Sequence, residues 1–229
     1  IDYAIPITFD LDVSHLSARQ FVELLQRHLR MKGLVVGPDF ALGHQREGTV
    51  ERLRVLGREM GFTVEVVPPL ALGADVVSST AIRHALAAGD VRGAARMLGR
   101  PFSLTGQVVR GERRGMALGF PTANVAFDPE RALPADGVYV TRTRVCGRTY
   151  DSATNVGVRP TFPDGRRTIE AYIFDFDRSI YGESARLEFL DFLRPEERFP
   201  TVDALKAQVA RDVEEAKARL RLLAQEGLP

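Results

Sequence analysis

The feature that most constrains this chain is a break in its periodicity at Gly99-Arg100-Pro101. Before the break, short apolar runs alternate with helical patterns; after it, strand-like segments follow one another with no helical pattern between them. Alternating strands and helices build a parallel α/β layer, whereas successive short strands separated by turns close into an antiparallel barrel that removes exposed edges. A chain of 229 residues has room for two modest domains, so the expected division is 1–99 and 100–229. The junction is too short for a floppy linker, and neither a fixed-period repeat nor a low-complexity tract is present.

In the first part, Tyr3 to Ile7 reads as a strand, and Phe21, Leu24, Leu25, His28 and Leu29 follow helical spacing within a helix from about Ser17 to Met31. Leu34-Val35-Val36 is a short buried strand. Val50, Leu53, Leu56 and Met60 mark a second helix, and Phe62 to Val67 another strand stopped by Pro68-Pro69. Ser78-Ser79-Thr80 caps a further helix, and Gly89-Asp90 separates it from one ending near Leu98-Gly99.

In the second part the strands are Phe102 to Val109, Gly137 to Val145, Thr149 to Asn155, Thr168 to Phe176 and Ala185 to Phe192. Thr201 then caps a helix whose apolar stripe is Val202, Leu205, Val209, Val213, Ala216 and Leu220, positioned to cover the barrel.

Thirty-one Lys and Arg against thirty Asp and Glu leave a net charge of +1, so no global field favours nucleic acid or an anionic membrane, and any anion site is local. Arginines at 142, 144, 148, 166 and 167 raise the alternative of a nucleic-acid-binding barrel, which the lack of Trp and of aromatic-basic interleaving weakens. No apolar run is long enough to span a bilayer. The one cysteine, Cys146, excludes an intrachain disulfide and Cys-rich zinc sites, and the expectation is a cytoplasmic protein with no membrane partner. Oligomeric state stays open, a homo-oligomer included. The chain opens at Ile1 rather than Met, which suggests preceding sequence.

All four histidines lie in the first part, so acid-base chemistry in the barrel has to use a carboxylate. The most informative stretch runs from Gly111 to Asn124: Gly111, Gly115 and Gly119 permit close backbone approach to a ligand, and Arg110, Arg113 and Arg114 place positive charge beside them. Thr122 and Asn124 offer neutral oxygens suited to a hard cation accompanied by phosphates. A soluble Gly-rich hairpin with ordinary turn chemistry is the competing reading.

The string Gly119-Phe120-Pro121-Thr122-Ala123-Asn124 is followed by Gly137-Val138-Tyr139, then Asn155 to Phe162, then Thr168-Ile169-Glu170-Ala171-Tyr172. In that order and spacing these resemble the riboflavin kinase family, and Leu193 to Phe199 and Asp212 to Lys217 extend the resemblance over about residues 100 to 222. Upstream, Val36 to Gly43 and Ser78 to Arg83 resemble the adenylyltransferase module fused to this kinase in bacterial FAD synthetases.

The resemblance implies a partial Rossmann-like α/β nucleotidyltransferase domain, then a Greek-key antiparallel β-barrel with a C-terminal helix. It implies transfer of the ATP γ-phosphoryl to riboflavin to give FMN, with Mg2+ or Mn2+. Glu170 would receive the hydroxyl proton; Gly111, Gly115, Gly119, Thr122, Asn124 and Asn155 would bind ATP and its phosphates, Thr122 and Asn124 also the metal; Arg194, Glu197 and Phe199 would contact flavin. Strand alternation also allows Glu170 to face outward and pair with an arginine, and Gly157 and Pro160 to serve turn geometry. Where the family often has His two residues after the Glu, this chain has Tyr172 on the same strand face.

The adenylyltransferase remnant comprises Asp39, Ser78, Ser79, Thr80 and Arg83; Ser78, Ser79, Thr80 and Arg83 could offer hydroxyls, helix N-terminal amides and a guanidinium to phosphates, although Ser-Ser-Thr is also ordinary capping. The His-x-Gly-His signature of such transferases does not occur in these residues, His15 being followed by Leu16-Ser17. The expectation is therefore a kinase that makes FMN but not FAD, with a bifunctional full-length parent. A barrel that holds flavin or nucleotide without turnover is the alternative.

Overall fold

The computed structural model describes residues 2–73, 75–111, 119–158 and 167–226. Gly115, Arg113, Arg114, Arg159, Pro160 and Thr161 lie outside these residues. The chain divides into two compact units, residues 1–76 and 77–229.

The first unit holds a parallel strand pair, β1 (Gly33–Val36) and β4 (Thr63–Val66), which is the expected α/β arrangement. A short turn of helix, α1 (Leu11–Ser14), precedes α2 (Ala18–Leu29), which starts at a capping box made by Ser17 and Gln20. After the short antiparallel pair β2 (Ala41–Leu42) and β3 (Gly48–Thr49), α3 (Val50–Met60) is capped by Thr49 and stops at Gly61, which takes the left-handed conformation at φ 75°. Ala18, Val22, Leu53, Leu56 and Phe62 form the core. The buried face of α2 is thus set by Ala18 and Val22, while Leu24 and Leu29 of the expected stripe are exposed, because the layer formed by Leu53, Leu56 and Phe62 meets the helix one step round. The strand expected at Tyr3 to Ile7 pairs with no other strand among the described residues, and Tyr3, Ile5 and Ile7 are exposed; β pattern without a ladder partner leaves the backbone to solvent.

The first unit ends with the short antiparallel pair β5 (Ala71–Leu72) and β6 (Asp75–Val76), and the second begins at Val77. The second contains α4 (Ser79–Ala87) and α5 (Val91–Leu98), which the periodicity break placed with the first part. The reason is packing: Leu86, Val91 and Ala94 share one buried cluster with the barrel residues Leu104, Tyr139 and Phe189. His84 consequently lies in this unit, although it lines none of the cavities described below.

The barrel has β7 (Phe102–Val109), β8 (Thr122–Val125), β9 (Gly137–Val145), β10 (Arg148–Val158), β11 (Arg167–Ile173) and β12 (Ser184–Arg194), closed in the order β10-β11-β8-β7-β12-β9. Strands β9, β10 and β11 are consecutive neighbours and β8 returns beside β11, a Greek key. Cys146 and Gly147 make the two-residue β9–β10 turn at φ 49° and 74°, the double left-handed geometry of a tight hairpin. One strand, β8, is Thr122-Ala123-Asn124-Val125, where no strand was expected; four residues with Thr and Asn carry too little alternation to register as one.

β9 is buried along almost its whole length because both of its faces are covered. Tyr139, Thr141, Thr143 and Val145 are the alternate set that belongs with the interior, where Thr141, Thr143, Ser152 and Thr154 link hydroxyls at 2.7–2.8 Å. On the other face, Val140 and Ala153 pack with Val213, Ala216, Leu220 and Leu223 of the C-terminal helix α6 (Val202–Gln225), capped by Thr201.

Candidate active site

The register of the barrel collects the sequence-nominated residues into one transverse row. Asn124 of β8 stands opposite Glu170 of β11, Glu170 opposite Asn155 of β10, Asn155 opposite Val138 of β9, and Val138 opposite Arg194 of β12. Residues directly opposite in paired strands project to the same side. Along β11, Ile169, Ala171 and Ile173 are buried in the barrel, which puts Glu170 and Tyr172 on its outer face. The outward orientation left open by strand alternation is therefore the one adopted. That face is not bare solvent, since the first turns of α6 and the segment after β12 cover it.

Between them lies a cavity of about 280 Å3, bordered by Thr122, Asn155, Glu170, Tyr172, Arg194 and Phe199. Phe120 meets Tyr172 edge-on at 5.4 Å, and both rings also border it, as do Glu196, Glu197 and the aliphatic side chains Leu205 and Val209. A second cavity, of about 480 Å3, is bordered by Gly111, Thr122, Asn124, Asp177, Ser179 and Tyr181. A wider hollow of about 790 Å3 reaches Asn124 from the side of Arg110, Arg131 and Arg167. Thr122 borders both of the first two cavities, and its hydroxyl donates to Oε2 of Glu170 at 3.2 Å.

The described glycines of the Gly111 to Asn124 stretch do different work. At Gly111 a Cβ would lie 2.3 Å from Nδ2 of Asn124, so the missing side chain makes room for the Asn124 amide rather than for a ligand. Gly119 has open space around it and φ 84°, so it supplies the left-handed turn before Phe120-Pro121.

Asn155 donates from Nδ2 to Oε1 of Glu196 at 3.2 Å, and that carboxylate sits where a Cβ on Gly157 would be, 2.1 Å from Oε1. Gly157 thus answers to close approach rather than to turn geometry. Arg194 donates through Nε and Nη2 to the two oxygens of Asp212 at 2.9 and 2.7 Å, and through Nη1 to the carbonyl of Pro195 at 2.9 Å. Gln208 adds a donor to Asp212 at 2.8 Å. The Asp212 hydrogen bonds hold the guanidinium proton more firmly than usual, raising the Arg194 pKa against the opposing effect of burial. Arg194 borders the cavity, yet these bonds fasten α6 to the end of β12, and its guanidinium carbon lies 5.7 Å from the centre of the Phe199 ring.

Glu196 and Asp212, and the Asp177 to Tyr181 segment of the larger cavity, were not singled out as site residues from sequence. Asp212 stands 18 positions from its partner, with no local periodicity to link the two. In the remnant, Asp39 lies in the first unit and its carbonyl accepts from Arg46 at 3.1 Å. Ser78 is the cap of α4, accepting from the amide of Ala81 at 3.1 Å, with Ser79, Thr80 and Arg83 in the helix that follows. That is the ordinary capping role weighed for Ser78.

Among the described residues no group of three His, Cys, Asp or Glu side chains could hold a metal ion, and no helix is long and apolar enough to cross a membrane.

A family model described as riboflavin kinase matches residues 98–220, and one described as FAD synthetase matches residues 1–81. The bifunctional riboflavin kinase/FMN adenylyltransferase of Haemophilus influenzae is 38% identical over 220 residues, covering 95% of this chain and 71% of that protein. The protein of the same description from Escherichia coli K12 is 37% identical over 214 residues, covering 93% of this chain and 68% of its own length. A crystal structure from Streptococcus pneumoniae, titled a macrolide-efflux protein, superposes with a TM-score of 0.82 at 34% identity, covering 91% of this chain and 67% of that one.

Proposed function

The chain belongs to the family of bifunctional riboflavin kinase/FMN adenylyltransferases, and from that membership we propose how its residues carry out the kinase reaction. It is an ATP-dependent riboflavin kinase, with riboflavin and ATP as substrates and FMN as product. The flavin ring occupies the 280 Å3 cavity under α6, against Phe120, Tyr172 and Phe199, with its ribityl chain directed at Thr122 and Glu170. ATP occupies the 480 Å3 cavity with its γ-phosphate toward Thr122 and Asn124. The single observation that carries this reading is Thr122, which borders both cavities and is hydrogen-bonded to Glu170.

Glu170 accepts the proton of the terminal ribityl hydroxyl as its oxygen bonds to the γ-phosphorus; the bond from that phosphorus to the β–γ bridging oxygen breaks, and ADP departs. In phosphoryl transfer, positioning and charge stabilisation supply most of the acceleration, so a fixed row of Asn124, Glu170 and Asn155 on a closed barrel is a suitable frame. Phosphate-borne Mg2+ fits the donor set: a neutral hydroxyl and a neutral amide leave most of the coordination to phosphate and water, as this ion prefers. Thr122 and Asn124 would hold it, and when bound it neutralises charge developing on the transferred group. Gly111 and Gly119 shape this side of the site, and Asn155, held by Glu196, orders the other.

Arg194 acts by anchoring α6 over the flavin, while Glu197 and Phe199 contact it. The two family matches cover residues 1–81 and 98–220, and α4 and α5, which lie around the gap between them, pack with the barrel. For adenylyl transfer, Ser78, Ser79, Thr80 and Arg83 would be the residues offered to phosphates, with Asp39 the candidate upstream, and no His-x-Gly-His string occurs in these residues.

Incubation with riboflavin, ATP and Mg2+, followed by chromatographic separation of riboflavin, FMN and FAD, tests both parts. FMN without FAD is the expected outcome; FAD would overturn the adenylyltransferase reading, and flavin binding without turnover would favour a pure binder. Glu170→Gln should lower kcat by about 10²–10⁴-fold while leaving flavin affinity, read by fluorescence quenching, largely intact. Unchanged turnover in that variant removes Glu170 from its assigned role.

A further inference from the structure

A hollow on the barrel's flank, away from the phosphoryl-transfer row, is unused by the chemistry above. It encloses about 330 Å3, at the lower end of the ~300–1,000 Å3 typical of ligand pockets. Its floor is formed by Phe189 and Leu190 of β12 and Leu223 of α6, which are 0%, 8% and 5% exposed. Its rim is formed by Arg92 and Arg96 of α5 and by Arg100 just beyond. None of these six residues borders the two substrate cavities or the hollow beside Arg110.

The rim carries more positive charge than its surroundings compensate. Arg92 is paired with Glu226 at 2.6 Å, but Arg96 has no carboxylate partner among the described residues. The hydrogen bond of Arg100 goes to the carbonyl of its neighbour Pro101, at 3.3 Å. Arg92 and Arg96 stand four apart on one helical face, where like charges repel. A cation in the last turn of α5 is explained by the helix dipole alone. The dipole explains neither the third arginine past the helix end nor the buried apolar floor beside all three. Planar guanidinium groups suit carboxylate and phosphate, and the floor suits a ring or branched apolar body.

We infer that this hollow binds a small amphiphilic anion, a compact aromatic group carrying a phosphate or a carboxylate. The whole chain, with neutral riboflavin present in excess to fill the flavin cavity, is titrated calorimetrically with 1-naphthyl phosphate, 1-naphthoate, 1-naphthylmethanol and inorganic phosphate. The expected result is saturable binding of a naphthyl anion, with the neutral alcohol and inorganic phosphate each weaker by about tenfold or more. The better of the two naphthyl anions identifies the head group. Arg96→Ala/Arg100→Ala, at exposed positions, should weaken binding by about tenfold or more with an unchanged melting temperature, and Leu223→Trp should fill the hollow and abolish it. Absence of naphthyl binding to the parent chain, undiminished affinity in the double arginine variant, or inorganic phosphate binding as tightly as 1-naphthyl phosphate would each overturn the inference.

Discussion

Replacing Gly111 by alanine tests whether the nucleotide side of the site depends on sub-ångström placement. An added Cβ would lie 2.3, 2.6 and 2.9 Å from Nδ2, Cγ and Oδ1 of Asn124. Ordinary contact needs roughly 3.5 Å, so the amide has to retreat by about 1 Å. The amide is the terminal group of a side chain on β8, so the strand need not follow, and the loss of stability should stay within about 1–2 kcal/mol. Catalysis is less tolerant: a displacement of about 1 Å costs on the order of 10²-fold in rate, or about 2.7 kcal/mol of barrier. The flavin cavity includes neither Gly111 nor Asn124, so the effect should separate by substrate. Steady-state FMN formation would show kcat reduced by about a hundredfold and KM for riboflavin within roughly threefold of the parent, with thermal melting nearly unchanged. A kcat within roughly threefold of the parent would refute the claim that Gly111 exists to seat Asn124.

Three further outcomes follow from the packing. Asp212→Ala removes both carboxylate acceptors of Arg194 and leaves a largely buried guanidinium without its ion-pair partner; about 3 kcal/mol of stability should be lost in urea unfolding, with weaker flavin binding as α6 loosens, and a loss below about 1 kcal/mol would make the pair a minor anchor. Ser152→Ala deletes a hydroxyl that contacts both Thr141 and Thr143 in the barrel interior and should cost about 1–3 kcal/mol, measured the same way; a neutral result would show that water or a shifted rotamer replaces it. Burial pushes the Tyr139 phenol up to about 12, so the folded barrel keeps a proton that the unfolded chain releases from pH 10 upward. Its contribution is complete below the ordinary value near 10 and is lost as pH rises through about 12; the urea midpoint should fall over that window less in Tyr139→Phe than in the parent, and identical slopes would contradict it.

Local chemistry made much of this chain readable in one dimension. Ser17, Thr49, Ser78 and Thr201 cap helices where their side chains fall before helical runs, since a cap requires a hydroxyl only three residues from the amide it serves. The barrel strands stood out by alternation, and Thr122, Asn124 and Glu170 by the order of their motifs. The short strand β8 did not stand out, nor did the orientation of Glu170, because four residues give too few alternations and a strand's period does not say which face is inside.

What the sequence by itself determined was where the longer helices and most barrel strands lie and which side chains are candidates for chemistry, because caps, turns and periodicity act over a few neighbouring residues. Only the tertiary structure decided that Asn124, Glu170, Asn155 and Arg194 share one row, that Thr122 parts two cavities, that α4 and α5 pack on the barrel, and that Arg194 is held by Asp212. Those facts depend on barrel closure and on burial shared by residues far apart along the chain, and no local preference encodes which of several compatible faces will meet.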